Sequence, residues 1–339
     1  MPATIEPRVV DLGGFVVRRS LPTRALRSVG PWLFYDHFGP HTFTKGGGLD
    51  VVPHPHINLA TVTYLFDGEI VHRDSIGSVQ AIRPGAINLM IAGRGIVHSE
   101  RSDPQRRLSD HDIHGLQLWH GLPVEVEEDQ PSFHHHPEDS LPAKSVKGGE
   151  VRVMMGKAYE LESPVPTFVP TLYVDVKLDA GAELTLPPEA DELACYVVAG
   201  RARLEGAGGP APLAEHRLVV VRGAPDGTPD ADGRAGEAAG AAAQADDDGS
   251  GGSAGGAAPR TAQAAGPAGT IHAEVDTRLV LIGGTSLGRR YMWWNFVSSR
   301  RERIEQAQAD WRENRFPPVP GDDEYAPLPE VDRHARLAD

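Results

Sequence analysis

Apolar residues in this chain come in short bursts punctuated by glycine and proline. From residue 8 to about 125 the runs are too short and too frequently interrupted for helices, and a stretch such as Ala-Thr-Val-Thr-Tyr-Leu-Phe-Asp-Gly-Glu-Ile-Val-His-Arg-Asp at 60–74 reads as strand, turn, strand. Asp67-Gly68 marks a hairpin turn, Arg83-Pro84-Gly85-Ala86 another before the apolar run 87–92, and Gly115-Leu-Gln-Leu-Trp119 closes the segment. Such spacing predicts an all-β barrel or sandwich.

A second β-rich region is expected over 151–290, with strands near 151–155, 171–177, 193–199, 217–222 and 270–282. Between the two, residues 126–150 are polar and read as a connecting segment, with His134, His135 and His136 in a solvated loop. Residues 224–269 are almost entirely Gly, Ala, Asp, Pro, Ser and Gln and are expected to form a disordered insertion, since they offer little apolar surface to bury. The final part, 291–339, should hold a tryptophan-rich strand, a short helix over 300–314 capped by Ser298 or Ser299, and a tail interrupted by Pro317-Pro318. The Trp293-Trp294 pair reads as a packing anchor.

The two β regions echo each other. Leu-Ala-Cys-Tyr-Val-Val-Ala-Gly200 resembles Leu-Ala-Thr-Val-Thr-Tyr-Leu-Phe-Asp-Gly68, which suggests an internal duplication. Placing Gly200 on Gly68 puts Leu186 and Pro188 where the first copy has His54 and His56.

Those histidines carry the chemistry. His54 and His56 lie in Val-Val-Pro-His-Pro-His, and His98 and Glu100 in Gly-Arg-Gly-Ile-Val-His-Ser-Glu. Each pair has i, i+2 spacing, so on strands both members share one face. The 42 positions from His56 to His98 leave room for a few strands before the chain returns beside the first pair. Three imidazoles and a carboxylate suit Fe, Ni, Cu, Mn or Zn and disfavour Ca or Mg. Around an octahedral ion, four such ligands would leave positions open for chemistry, whereas a closed tetrahedral zinc would be structural.

Composition narrows the partners. The 339-residue chain is long enough for two cores, and its net charge of -14 argues against direct nucleic-acid contact. The single cysteine, Cys195, excludes an intramolecular disulfide and sits in an apolar run as a structural thiol. No stretch approaches the ~20 apolar residues of a membrane span, and no leader pattern opens the chain, so a cytoplasmic location is the default expectation.

On these residues the chain resembles the pirin family of bicupins. The likeness runs through Tyr35-Asp36-His37-Phe38-Gly39-Pro40, Pro-His-Pro-His at 53–56, the block 61–100, Gly115-Leu-Gln-Leu-Trp119 and Trp-Trp-Asn-Phe-Val-Ser-Ser at 293–299. The resemblance implies two tandem cupin barrels. A metal-binding one would span 1–125, with His54, His56, His98 and Glu100 as ligands, and a metal-free one 151–290. Fe(II) is the first expectation for the ion, with Ni, Cu, Mn or Zn as alternatives. The chain departs from many relatives at Ile57-Asn58-Leu59-Ala60, where a carboxylate is missing, so Glu100 is the only carboxylate offered to the metal.

Some pirin relatives are similar to quercetinases, which implies a dioxygenase taking O2 and a phenolic flavonol such as quercetin. Glu100, on or off the metal, is then the candidate catalytic base, with Gln117 or Ser99 as members of the outer shell. Two alternatives remain at this stage. One is a regulatory protein whose metal oxidation state is read by a protein partner; the other is a different reaction of an enolisable phenol on the same metal.

Overall fold

Strand Leu59–Asp67 shows why the first apolar run is continuous rather than alternating: both of its faces are covered. Ala60, Val62 and Tyr64 join a core shared with the second half of the chain, while Thr61, Thr63 and Leu65 point the other way, into their own barrel. The computed structural model describes residues 2–11, 15–206, 209–222 and 269–329. Within these the chain is all-β, two tandem cupin barrels with one short helix, as expected.

Each barrel is a large antiparallel sheet facing a small one. In the first, seven strands run in the order Ser132–His136, Ile87–Ile91, Leu59–Asp67, His111–Gly121, Trp32–Phe43, Val16–Leu21, Arg8–Asp11. The small sheet has four: Asp50–His56, Ile96–Arg101, Ile70–Asp74, Val79–Ile82. The second half repeats the plan with an eight-stranded sheet and a four-stranded one, the latter ordered Glu183–Thr185, Thr270–Ala273, Arg201–Glu205, Ala211–Ala214.

The two large sheets pack against each other. Trp32, Tyr35, Val62 and Leu116 share one core with Tyr173, Tyr196, Val280 and Ile282. The Trp32 indole donates from Nε1 towards the carbonyls of Leu172 and Gly283, each at 3.1 Å, and the Tyr64 hydroxyl donates to Asp175 at 2.8 Å. A buried polar atom thus finds its partner across the junction, which aligns the halves as well as burying them.

Several expectations are corrected. Asp67-Gly68 is a turn but not a hairpin, because Leu59–Asp67 pairs with Ile87–Ile91 and His111–Gly121, whereas Ile70–Asp74 belongs to the small sheet. The turn carries the chain from one sheet to the other. Residues 126–150 are more than a connection: Ser132–His136 pairs with Ile87–Ile91 in the first barrel, and Ala143–Val146 with Gly149–Ala158 in the second. His134, His135 and His136 are therefore strand residues, half-buried, and His135 Nδ1 lies 2.6 Å from Asn88 Oδ1.

The 270–282 segment is two strands, Thr270–Ala273 and Thr277–Gly284, in different sheets. Thr4–Ile5, near the start of the chain, pairs with Leu218 and Val219 of the second barrel, not the first. Of the expected insertion, only Gly269 falls among the described residues. The helix spans Arg301–Arg312 and has no side-chain cap. Ser298 Oγ accepts the Arg300 N–H at 3.1 Å, just outside the helix, and the Ser299 hydroxyl is drawn away to donate to Glu127 at 2.5 Å. Cys195 is fully buried, and burial pushes its thiol up to about 12, in keeping with a structural role.

Candidate metal centre and cavity

The small sheet of the first barrel aligns the paired donors. Strand Ile96–Arg101 lies between Asp50–His56 and Ile70–Asp74, with His98 opposite His54 on one side and opposite Asp74 on the other. A register shift between His98 and Glu100 interrupts the ladder to the first neighbour. Such a bulge re-aims side chains.

The rings of His54, His56 and His98 converge, with centroids 4.3–5.0 Å apart and donor atoms within 4.8 Å of one another. Glu100 comes within that same range of His98 and His72 rather than of the full histidine trio. It lines the same cavity as His54 and His56. The four residues singled out in the sequence are thus brought to one place, with Glu100 set to one side. Among the described residues, both groupings of three such donors lie in the first barrel.

Backbone carbonyls hold two of the rings. His54 Nδ1 donates to the Val52 carbonyl at 2.9 Å and His56 Nδ1 to the Asn295 carbonyl at 3.0 Å. A carbonyl only accepts, so each neutral ring carries its proton on Nδ1 and presents Nε2 as a lone pair. His98 Nε2 is buried without a hydrogen-bond partner.

Burial keeps these rings neutral. It lowers His54 to about 4 and holds His56 and His98 well below the ordinary histidine value, reinforced by the neighbouring imidazoles. Neutral rings with inward lone pairs and one orphaned nitrogen fit a divalent transition ion. Glu100 moves the opposite way, raised by burial against the lowering effect of His72, Thr63 and Gln117. Thr63 Oγ1 lies 3.2 Å from Glu100 Oε1 and 2.8 Å from Gln117 Oε1.

The His54 and His56 imidazoles and Glu100 open onto a cavity of about 370 Å³. Phe34 and Trp119 stack in its wall, centroids 4.1 Å apart and nearly parallel, with the Arg19 guanidinium over Phe34 at 4.3 Å. Arg19 also makes a two-point ion pair with the buried Asp36 at 2.7 and 2.8 Å. Val17, Phe38, Leu49 and Ile70 complete an apolar lining.

Two features of the site escape the sequence reading. The hairpin Tyr291–Trp293 to Phe296–Ser298 reaches back from beyond the second barrel and docks through a bridge between Phe296 and Ile57, both fully buried. Its tip places Trp294, with φ +52°, and Asn295 in the cavity wall. A bulky side chain in the left-handed region is uncommon and costs energy that the packing must offset. Trp293 and Trp294 do pack as an anchor around Phe296, but Trp294 also faces the cavity. No local signal marks Asn295, because its contribution is a backbone carbonyl.

The other feature is His72-Arg73-Asp74, a third i, i+2 pair on the small sheet. Its spacing was readable in the sequence. Of the expected outer-shell residues, Gln117 is found beside Thr63 and Glu100, whereas Ser99 lies on the other face of its strand from His98 and Glu100, towards Asp322.

Comparison with known proteins places these features in a family. The pirin family model matches residues 14–120, and the model of the pirin C-terminal cupin domain matches residues 258–317. A pirin-like protein of Caulobacter vibrioides is 38% identical over 329 residues, 96% of this chain and 98% of that protein. Human pirin is 36% identical over 190 residues, 55% of this chain and 62% of that protein. A crystal structure titled quercetin 2,3-dioxygenase from Acinetobacter baumannii superposes with a TM-score of 0.76 at 29% identity, covering 100% of this chain and 98% of that one. With likeness to a pirin-like protein sustained over nearly the whole length, and family models matching in both halves, this chain belongs to the pirin family.

Proposed function

We propose that the chain is a metal-dependent dioxygenase that cleaves a flavonol such as quercetin with O2, using one divalent transition metal, Fe(II) first, held by His54, His56, His98 and Glu100 in the first barrel. The observation that carries this reading is the convergence of the His54, His56 and His98 imidazoles beside an aromatic-walled cavity that His54, His56 and Glu100 line. The likeness to the Acinetobacter baumannii protein titled quercetin 2,3-dioxygenase supports it.

A bound metal of this kind supplies Lewis acidity and open coordination positions. The protein does the rest. Phe34 and Trp119, stacked on each other, offer apolar ring edges to a planar polyphenol, and the Arg19–Asp36 pair provides polar contacts for its hydroxyls. Glu100 takes the proton of the flavonol 3-hydroxyl at a carboxylate oxygen, with Thr63 and Gln117 steadying the carboxylate. The apolar lining keeps water from the reacting ring. A cavity reaching the imidazoles favours turnover over a non-catalytic metal sensor.

The test is anaerobic reconstitution with iron, followed by oxygen uptake and carbon monoxide release on adding quercetin. Metal-dependent uptake with carbon monoxide, lost in His98→Ala, is expected. A loaded, folded protein that consumes no oxygen with Fe, Cu, Mn or Ni would sink the dioxygenase reading.

A further inference from the structure

His72 and Asp74 are almost completely buried, at 3% and 0% exposure, yet neither faces the cavity. Their strand runs beside the one bearing His98, with Asp74 opposite His98 and His72 opposite Glu100. His72 Nε2 lies 2.9 Å from Asp74 Oδ2, and His72 Nδ1 lies 3.4 Å from His98 Nδ1, the outer limit of a hydrogen bond. Phe133 stacks on the His72 ring at 4.4 Å and fixes its plane. The other carboxylate oxygen, Asp74 Oδ1, accepts the N–H groups of Ile76 at 3.1 Å and Ser78 at 2.9 Å, so the orientation of the carboxylate is set as well.

These contacts dictate where the ring protons sit. A proton on His98 Nε2 would be a buried donor with nothing to receive it, because that nitrogen has no hydrogen-bond partner. On Nδ1 the proton meets an acceptor, provided His72 Nδ1 is a lone pair. His72 must then be protonated on Nε2, where Asp74 Oδ2 accepts. In this arrangement every ring proton has an acceptor. An ionised carboxylate only accepts, so Asp74 gives the chain of contacts its direction.

We propose that Asp74 and His72 are a positioning relay that holds His98 in its Nδ1–H tautomer and aims the Nε2 lone pair at the metal. The relay rests on the proposed metal site. His72 is also close enough to His98 and Glu100 to suggest a ligand, but its two nitrogens are already engaged by His98 and Asp74. Partners of this kind fix the tautomer and orientation of a metal-ligating imidazole.

Asp74→Asn inverts the relay at nearly constant shape. The Ile76 and Ser78 N–H groups keep the amide oxygen at the Oδ1 position, which turns the amide NH2 towards His72 Nε2. His72 then becomes an acceptor at Nε2 and a donor at Nδ1, and His98 must carry its proton on Nε2, the nitrogen meant for the metal. Long-range proton–nitrogen correlation spectra of the metal-free, 15N-labelled full chain read that tautomer directly. Competition with a chromophoric chelator for Co(II) reads affinity.

Wild type should show His98 as Nδ1–H. Asp74→Asn should show Nε2–H and bind Co(II) about 10- to 100-fold more weakly. His72→Phe, which keeps the stack on Phe133 but removes the acceptor, should weaken Co(II) binding in the same range, and it carries the test if Asp74→Asn does not fold. An Nε2–H tautomer in wild type, or folded variants with unchanged tautomer and affinity, would overturn the relay. A wild type that shows Nδ1–H but takes up no Co(II) would overturn the metal reading and leave the ring assignment standing.

Discussion

The two barrels share a plan and differ in what fills them. In the first, the small sheet turns His54, His56, His72, Asp74, His98 and Glu100 inward. In the second, the corresponding sheet buries Leu184, Ala202, Leu204, Ile271 and Ala273, and Leu186 follows directly in the same core. Even the turns agree. Gly68 and Gly200 have φ of +88° and +92°, and a Cβ on either would come within 2.4 Å of a backbone carbonyl, that of Asp112 or Asp276. The topology is therefore indifferent to the chemistry of its interior, and the candidate site is carried by one copy. The two interiors have different energetics. Apolar residues contribute stability by leaving water, whereas each buried polar group needs a partner or costs about 1–3 kcal/mol.

Exchanging the two characters is the sharpest way to test this contrast. His98→Ala in the first barrel should reduce metal content, measured by elemental analysis, to background. The metal-free protein should still unfold cooperatively, with a melting temperature lowered by the cavity the ring leaves and by the unpaired His72 Nδ1. Leu186→Ala in the second barrel should do the reverse. It should cost about 2–5 kcal/mol in denaturant unfolding and leave metal content unchanged. A His98→Ala protein that keeps its metal, or a Leu186→Ala protein that loses it, would break the comparison.

Acid should separate buried histidines from apolar packing. Burial lowers His120, at the junction of the halves, from 6.5 to about 4, and His37 to about 2. The unfolded chain binds protons before the folded one does, so stability is present above pH 6.5 and is lost as pH falls towards 4. His120 alone accounts for about 3 kcal/mol of that loss. Urea midpoints at pH 7 and pH 5 should differ accordingly in metal-free protein, and the difference should shrink in His120→Gln. A flat profile between these pH values would remove histidine burial as the cause. The smallest effect expected is the matched one: Gly68→Ala and Gly200→Ala should each cost at least about 1 kcal/mol, by similar amounts, if the turns are equivalent. Unequal costs in chemical denaturation would weaken the duplication.

Much of the site was legible because strand geometry is local. The i, i+2 spacing of His54 with His56 and of His98 with Glu100 is enough to put each pair on one face. The same rule applied to His72 and Asp74 would have found the buried pair behind His98. The hairpin reading of Asp67-Gly68 failed for a different reason: turn residues report local backbone conformation, not which strands the chain joins next. The loop reading of His134, His135 and His136 failed because an edge strand tolerates polar side chains, its backbone being satisfied on one side by solvent and on the other by the ladder with Ile87–Ile91. Ser299 was a reasonable cap in isolation, but Glu127, far away in sequence, offered its hydroxyl a stronger acceptor.

The sequence by itself determined the β class, the duplicated plan and the donor pairs, because these depend on periodicity and residue type. Of the expected counterparts of His54 and His56, Leu186 is buried in the second core while Pro188 is exposed beyond the strand Glu183–Thr185. Tertiary structure alone decided how the donor pairs meet, that Glu100 stands aside with His72 and His98, and that the Trp294–Asn295 tip from beyond the second barrel completes the first barrel's cavity and holds His56. The reason is that these contacts join residues as many as 239 positions apart, several through backbone atoms, and a backbone carbonyl has no residue type for a sequence to display.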